Sequence, residues 1–213
     1  MHKKYMIFAS VAVAVVAVVA VVAMVIVGIT NQSNDINSYD QTMSGDTTYV
    51  PSDITKANPN LVKAVGHTSV TTTNISNLKD NIKYTLRGKV LNVGDPIPWV
   101  DNAGNSRGAI PIEILVDKKY KGDDGVGNTF TFYIQSIEEQ GTYYIMPNEP
   151  TFEIGEQIIV HISEDNELGP DEIAHKYYVE LGEYGKYKII NNKAYNELFP
   201  RGVSQDFVGN LAK

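Results

Sequence analysis

Apolar and polar residues alternate along most of the chain after residue 60. Every second residue is apolar or glycine in 84–90 and again in 110–116, which is typical of strands with one buried face. The alternation returns in 130–134 and 158–162, and more loosely in KYYVEL and GKYKII. Gly, Asn, Asp or Pro separates these six segments, so the pattern predicts an all-β sandwich or barrel.

One short helix is predicted at SNLKDNIK, residues 76–83. Leu78 and Ile82 fall four residues apart on one helical face, and Ser76 or Asn77 can cap the first turn. We expect this helix to pack against the sheet.

The first thirty residues follow a different pattern. Tyr5 to Ile29 is a run of 25 residues without a charge, and at about 1.5 Å per residue it spans the roughly 30 Å hydrocarbon core of a bilayer. A cleaved signal peptide is the alternative, but its apolar region is usually about 7 to 15 residues long and ends in an A-x-A-like site. The longer run here, which ends in VIVGIT, predicts an uncleaved transmembrane signal anchor at 5–29.

Charge and composition divide the rest of the chain. Lys3 and Lys4 precede the apolar run and no Lys or Arg lies in the TNQSNDINSYD that follows, so residues 1–4 are predicted to be cytoplasmic and the C-terminal domain extracytoplasmic. Of the 31 residues in 30–60, 23 are Ser, Thr, Asn, Asp, Gln, Gly or Pro, which predicts a flexible polar linker. The β domain is then predicted at 61–199, with a C-terminal tail at 200–213.

The composition excludes several classes of function. The chain has 18 Lys and Arg against 25 Asp and Glu, and because two of the lysines precede the apolar run, the remainder has a net charge of −9. Binding to phosphate backbones needs clustered basic residues, so no nucleic-acid partner is predicted. The chain contains no cysteine, which excludes disulfides, thiolate metal sites and cysteine nucleophiles.

The stretch PTFEIGEQIIVHISED, residues 150–165, carries the residues most suggestive of catalysis. His161 and Ser163 are two residues apart on one strand face, whereas a nucleophile and its base need converging side chains and a third group that orients the base. Glu156 falls on the inward side where the strand begins, and we expect it to accept backbone N–H bonds rather than to act as a general acid. No catalytic residue is predicted, and the protein is predicted not to be an enzyme.

Neither metal nor cofactor binding is predicted. The acidic, Gly-rich loops at 101–105 and 122–128 lack the carboxylate spacing of a calcium loop, and the histidines are not paired at zinc or copper spacing. The chain also has thirteen tyrosines, which permit either a stacking platform for a glycan or ordinary packing of strands.

The order of four short segments resembles a loose group of exported or membrane-anchored archaeal and bacterial proteins. The segments are NLKDNIKYTLRGKVLNV, IEILVDKKYKG with TFTFYI, PTFEIGEQIIVHI, and YYVELGEYGKYKIINNKAY, which together cover about Ile75 to Tyr195. The matching residues are Gly88, Val90, Lys121, Gly122, Phe152, Gly155, Glu156, Gly182, Gly185 and Lys186.

The resemblance implies a small antiparallel OB-like barrel of five or six strands, similar to the netrin and metalloprotease-inhibitor fold but without its cysteines. It implies no functional residue, because the group has no known active site. A protease-inhibitor role is not expected, since that role depends on a disulfide-pinned N-terminal edge.

A fifteen-residue connection, GDPIPWVDNAGNSRG at 94–108, separates the first two long strands. Long connections in compact domains are often functional, and two prolines stiffen this one around Trp99, the only tryptophan. We therefore predict that Ile97, Trp99 and Val100 contact a partner or ligand. In the alternative interpretation, Trp99 folds back and plugs an open end of the barrel.

Together these features predict a membrane-anchored extracytoplasmic binding or structural module, for example an accessory subunit of a cell-envelope complex, with a protein or glycan partner. The alternative is a hydrolase of envelope polymers that uses paired carboxylates on opposite walls of a cleft. Its candidate acids are Glu113, Glu138, Glu139 and Glu156.

Overall fold

The computed structural model of the protein describes residues 49–64, 79–123 and 128–213, which belong to one compact unit. β-Strands dominate these ranges, as the alternating pattern predicted. The elements in chain order are α1 (Ile54–Ala57), β1 (Leu61–Lys63), β2 (Tyr84–Val93), β3 (Ile97–Val100), β4 (Ser106–Lys121), β5 (Thr129–Glu139), β6 (Thr142–Ile145), β7 (Gln157–Glu164), β8 (Tyr177–Val179), a 3₁₀ turn (Gly182–Gly185), β9 (Lys186–Ile190), β10 (Lys193–Tyr195), β11 (Val203–Ser204) and α2 (Gln205–Asn210).

Five of the strands close into a barrel. β2 pairs with β4 and β7, β4 pairs with β5, and β8 completes the ring by pairing with both β7 and β5. The prediction of a closed barrel is confirmed, and this strand order fits an OB-like barrel. The prediction that it is wholly antiparallel is wrong, because β8 meets β5 in parallel at Tyr178 and Tyr133. A closed ring with an odd number of strands must contain at least one parallel pair.

The interior of the barrel consists of the apolar residues that alternate in the sequence. Ile110, Ile112 and Ile114 of β4 are fully buried. The same is true of the inward residues Phe132 and Ile134 of β5 and Ile158, Val160 and Ile162 of β7. Three register shifts between β2 and β4 bend the long strands around this core. The core residues are Ile54, Leu61, Tyr84, Leu86, Val90, Val93, Ile110, Ile112, Ile114, Phe132, Ile134, Ile145, Phe152, Ile158, Val160, Ile162 and Val179.

A second, smaller core covers the outward face of β7. Ile159 points away from the barrel and packs with Tyr187 of β9, with Val208 of α2, and with Phe199, which precedes β11. Residues of the predicted C-terminal tail therefore pack on the barrel domain. The tail contributes Val208 and Ala212, both of which are fully buried.

His161 lies beside Ile159 on this covered face. It is 2% exposed, its Nδ1 is 3.0 Å from Oγ1 of Thr85, and its ring packs edge-on against Tyr187. Burial lowers the pKa of His161 to about 4, so the imidazole is neutral at neutral pH. This environment gives His161 a packing role, in agreement with the interpretation of its segment as a strand.

The structure of three segments differs from what the sequence predicted. The described part of the predicted linker, 49–60, packs against the barrel, where Ile54 is 2% exposed. In the predicted helix at 76–83, residues 79–81 form a turn, and Ile82 is buried against Ala212; residues 76–78 lie outside the described ranges. The connection at 94–108 contains β3, so it is a hairpin and not an irregular loop.

Among the residues that the structure describes, no helix is long and apolar enough to cross a membrane. The predicted anchor at 5–29 lies outside those residues.

Candidate functional site

The three predicted contact residues lie together on a short hairpin. β3 pairs antiparallel with the start of β4, so that Trp99 is opposite Arg107 and Val100 is opposite Ser106. Exposure alternates along β3: Ile97 and Trp99 are partly buried, whereas Val100 is 66% exposed. Sequence reasoning missed the hairpin because its two prolines and its Asn- and Gly-rich turn indicated a loop. Pro98 is compatible with β3 because β3 pairs on one side only in the described sheet.

Asp101 fixes the turn of this hairpin. Its carboxylate accepts hydrogen bonds from the backbone N–H groups of Ala103 at 3.0 Å and Asn105 at 2.9 Å, and from Nε of Arg107 at 2.9 Å. The side chain of Asn105 also donates to it. The hydrogen bonds from Asn105 are the main reason that the pKa of Asp101 lies well below its usual range. Hydrogen bonds to a single carboxylate therefore hold the turn.

Trp99 has an unpaired polar atom. Its Nε1 is buried and has no hydrogen-bond partner among the described residues. A buried indole N–H usually has a partner, so this donor is one that the described residues leave unsatisfied. Trp99 belongs to none of the core clusters and is not among the residues packed against them. Trp99 therefore lies outside the core of the barrel.

A shallow hollow of about 320 Å³ lies beside the hairpin. The start of β4 forms one side, including the Arg107 that is bonded to Asp101, and the end of β5 forms the other. We call β3, its turn and this hollow the hairpin site. The hollow is lined by Asn105, Ser106, Arg107, Ile137, Glu138 and Glu139.

A second cleft, of about 330 Å³, lies where residues 49–55 cross the barrel. Lys186 is at its base and is 4% exposed. The cleft is lined by Tyr49, Pro51, Ser52, Asp53, Ile54, Thr55, Lys63, Pro150, Thr151, Glu183, Lys186 and Glu197.

Lys186 is the centre of a buried polar network. Its ammonium donates to Oε1 of Glu156 at 2.6 Å, to Oγ of Ser52 at 2.8 Å and to the carbonyl of Thr151. Ser52 in turn donates to Oε2 of Glu156 at 2.6 Å. Burial lowers the pKa of Lys186 to about 8 although Glu156 opposes the shift, so the ammonium is still charged at neutral pH.

This network has few free bonding groups. All three ammonium hydrogens have acceptors, and the Ser52 hydroxyl both accepts and donates. Oε1 of Glu156 also accepts the backbone N–H of Glu153 at 2.8 Å, which confirms the role predicted for this carboxylate. The network therefore pins residues 49–55 to the barrel rather than presenting a nucleophile. Sequence reasoning missed Ser52 and Lys186. The available signal for Lys186 was its position at the start of a second apolar strand, where its positive charge can pair with Glu156.

The four acids of the hydrolase alternative do not lie together in either of these two clefts of the described structure. Glu138 and Glu139 line the hollow but are consecutive on β5, and consecutive strand residues point to opposite faces. Glu156 is paired with Lys186 beneath the other cleft, and Glu113 lines neither. This placement does not provide the opposed pair that glycoside hydrolysis requires.

Several tyrosines of the possible stacking platform pack inside the domain. Tyr178 and Tyr187 are buried, and Tyr177 packs edge-on against buried Tyr84. The ring of His175 stacks on that of Tyr177, with the two ring centroids 5.7 Å apart. These contacts favour strand packing over a ligand platform.

Comparison with protein-family models finds no match for this chain, and comparisons with curated proteins and with solved structures find none either.

Proposed function

We propose that this protein is a membrane-anchored extracytoplasmic binding module, and that the hairpin site engages a protein or glycan partner. The proposal combines the predicted anchor at 5–29 with a β-barrel that carries a pre-organised, partly apolar hairpin. The hairpin is the observation that carries the proposal, because it combines exposed apolar area with an unpaired buried N–H.

Pre-organisation is the physical argument for binding. Hydrogen bonds to Asp101 hold the turn before any partner arrives, so little entropy is lost when Val100 and Trp99 become ordered in a complex. Tryptophan is the residue most enriched at binding hot spots, and the polar hollow beside it offers hydrogen bonds to a peptide or a sugar. An accessory role in a cell-envelope complex is one function of such a module.

A hydrolase is the weaker proposal. The one buried carboxylate among the candidate acids, Glu156, is already bonded to Lys186, Ser52 and a backbone N–H. A general acid needs a proton that it can transfer to a bound substrate.

The test is affinity capture with the full-length chain from solubilised membranes. We expect Val100→Asp and Trp99→Ala to reduce recovery of the partner, while Val62→Asp, a change at another exposed valine, leaves it unchanged. Equal recovery with all three variants would show that the hairpin site is not the contact. Turnover of a glycan, ester or peptide that depends on Glu156 would overturn the binding-module proposal.

Orientation has a separate test. Protease added outside intact cells should digest the β domain and spare residues 1–4 and the anchor. Full protection of the domain would contradict the extracytoplasmic assignment.

A further inference from the structure

Residues 49–63 lie in a groove of the barrel domain, and we call this segment the strap. The strand pairs that close the barrel join β2, β4, β5, β7 and β8, so they are made without the strap. Ile54 and Leu61 fill the groove and are 2% and 0% exposed, whereas most of the other strap residues are exposed. Closure of the barrel therefore does not depend on the strap, and the groove is formed by residues from elsewhere in the chain.

One end of the groove binds a hydroxyl group. The Ser52 hydroxyl donates to Oε2 of Glu156 at 2.6 Å and accepts from Nζ of Lys186 at 2.8 Å. Oγ1 of Thr151 donates to the carbonyl of Ser52 at 2.6 Å. The groove thus offers an acceptor and a donor to a hydroxyl side chain, and a further donor to the backbone beside it.

The other end of the groove binds an ammonium group. Nζ of Lys63 donates to Oε1 of Glu183 at 2.8 Å and to three backbone carbonyls. The carbonyls belong to Met146, at 3.2 Å, to Pro147, at 2.9 Å, and to Glu149. Pairing of β1 with β6 holds the lysine in this position. Because an ammonium group only donates hydrogen bonds, a ring of four acceptor oxygens is selective for it.

We propose that the strap is exchanged between two copies of this chain, so that the strap of one copy fills the groove of the other. A second copy is the occupant that the groove fits, because its strap carries the same hydroxyl, aliphatic side chains and ammonium at the same spacing. Exchange keeps every contact of the groove, and swapping of an identical element is a low-cost route to a dimer. This interaction involves neither the hairpin site nor the predicted anchor.

The contacts of the strap allow its release without unfolding of the barrel. Lys186 and Glu156 both belong to the rest of the domain and remain bonded to each other when Ser52 leaves. Water can replace the Ser52 hydroxyl and can solvate the carbonyl oxygens that Lys63 leaves. Only Leu61–Lys63 of the strap are paired in the sheet. A segment with so few backbone hydrogen bonds and buried apolar side chains opens at a lower free energy than the whole domain.

The absence of cysteine allows exchange to be detected by disulfide formation. Val62 is opposite Tyr144 in the pairing of β1 with β6, and neighbouring strands about 4.8 Å apart lie within the range that a disulfide bridges. Full-length Val62→Cys and Tyr144→Cys are prepared separately in detergent, mixed and oxidised. A linked dimer of the two variants requires the strap of one copy to lie on β6 of the other.

Two controls accompany this mixture. Val62→Cys mixed with Asp80→Cys measures random collision, since Asp80 is exposed. The double variant with Val62→Cys and Tyr144→Cys should close a disulfide within one chain. If it does not, the pairing of β1 with β6 on which the inference depends is contradicted.

We expect the linked dimer to accumulate in the mixture and not in the collision control. Ser52→Ala in both variants removes two hydrogen bonds of the strap, so the strap opens more often and the dimer should form about ten-fold faster or more. Lys56→Met is the matched change, because this lysine of the strap has a side chain that is 68% exposed, and it should leave the rate unchanged.

A linked dimer no more abundant than in the collision control would overturn the inference, because the strap then stays on its own barrel. This comparison leaves the groove unaltered, so it holds even if Ser52→Ala does not fold. With a folded Ser52→Ala, a rate equal to that of Lys56→Met would also overturn the inference, since linkage would not depend on release from the groove.

A synthetic peptide of residues 49–64 with Val62→Cys distinguishes a second copy from other occupants. We expect it to form a disulfide with full-length Tyr144→Cys, as the second copy does. Linkage of the peptide without linkage between copies would overturn exchange, and would assign the groove to a segment of another protein.

Discussion

Nζ of Lys186 lies 2.6 Å from Oε1 of Glu156, and both side chains are almost completely buried. Lys186 is the first residue of β9 and Glu156 immediately precedes β7, and Ser52 from the N-terminal segment completes their hydrogen bonds. A buried ion pair is costly to form because both charges leave water, and it is more costly to break because one charge then remains unpaired. The position of residues 49–55 therefore depends on both Lys186 and Glu156.

Lys186→Met should destabilise the domain by about 3–5 kcal/mol, because the Glu156 carboxylate loses its counter-charge. Glu156→Leu should have a similar effect, and the double variant should cost less than the sum of the two. Denaturant unfolding of the full chain in detergent measures all three. Lys83→Met, which breaks the more exposed pair with Glu164, is the control and should cost about 1 kcal/mol or less. If Lys186→Met costs no more than this control, the network does not pin the segment.

Stability should fall as the pH rises from about 6.5 towards 8, because of Glu149; between about 4.5 and 6.5 its effect is opposed by buried His161, whose pKa is lowered to about 4. This side chain is 8% exposed, its Oε2 has no hydrogen-bond partner among the described residues, and burial raises its pKa to about 8. Between these pH values the folded state holds a proton that the unfolded state has released, so the free energy of unfolding decreases by at most about 1.4 kcal/mol per pH unit.

Glu149→Gln removes this titration and should flatten the pH dependence, with a gain in stability at pH 8. The exposed Glu139→Gln is the control and should leave the slope unchanged. Parallel pH profiles for the wild type and Glu149→Gln, measured by denaturant unfolding, would show that Glu149 is not the group responsible.

Trp99→Ala should leave the melting temperature nearly unchanged and reduce capture of the partner. Trp99 is only partly buried and is not part of a core cluster, so its removal does not open a cavity in the barrel. A plug of the barrel would instead cost about 3–5 kcal/mol. Calorimetry and affinity capture on the same preparations distinguish the two interpretations. If neither quantity changes, both are wrong.

Asp101→Ala should weaken capture of the partner while the barrel remains folded. The variant removes the acceptor for the N–H groups that hold the turn, so β3 has to be ordered at the moment of binding. Hydrogen exchange should then become faster in 97–105 and remain slow in the core strands. The exposed Asp80→Ala is the control for loss of one negative charge. Unchanged exchange in 97–105 would show that Asp101 does not rigidify the turn.

The predictable part of the fold is the part that depends on neighbours along the chain. Alternation placed Ile110, Ile112 and Ile114 in the core, and they are fully buried. Burial of every second side chain is a consequence of strand geometry alone. For the same reason the inward position of Glu156 and its role as an acceptor of a backbone N–H followed from the sequence.

Other features depended on contacts between distant segments. The partner of Glu156 is thirty residues away, and Ser52 is 104 residues away, so neither could be assigned from spacing. The tail at 200–213 has its own apolar residues, but only the packing of β9, β10 and α2 over β7 shows that they cover Ile159 and His161. β3 was not predicted because turn residues dominate its segment. In the structure, pairing with β4 outweighs the local preference of those residues.

The sequence by itself determined the strands, their inward faces and the expectation of a barrel, because alternation along a strand is a local property. The tertiary structure decided how the ring closes through β8, which outer surfaces are covered, and where charged groups meet, because these depend on free energies of burial shared between segments far apart in the chain. Trp99 illustrates the division: its uniqueness was visible in the sequence, whereas its place on a fixed hairpin with an unpaired N–H was not.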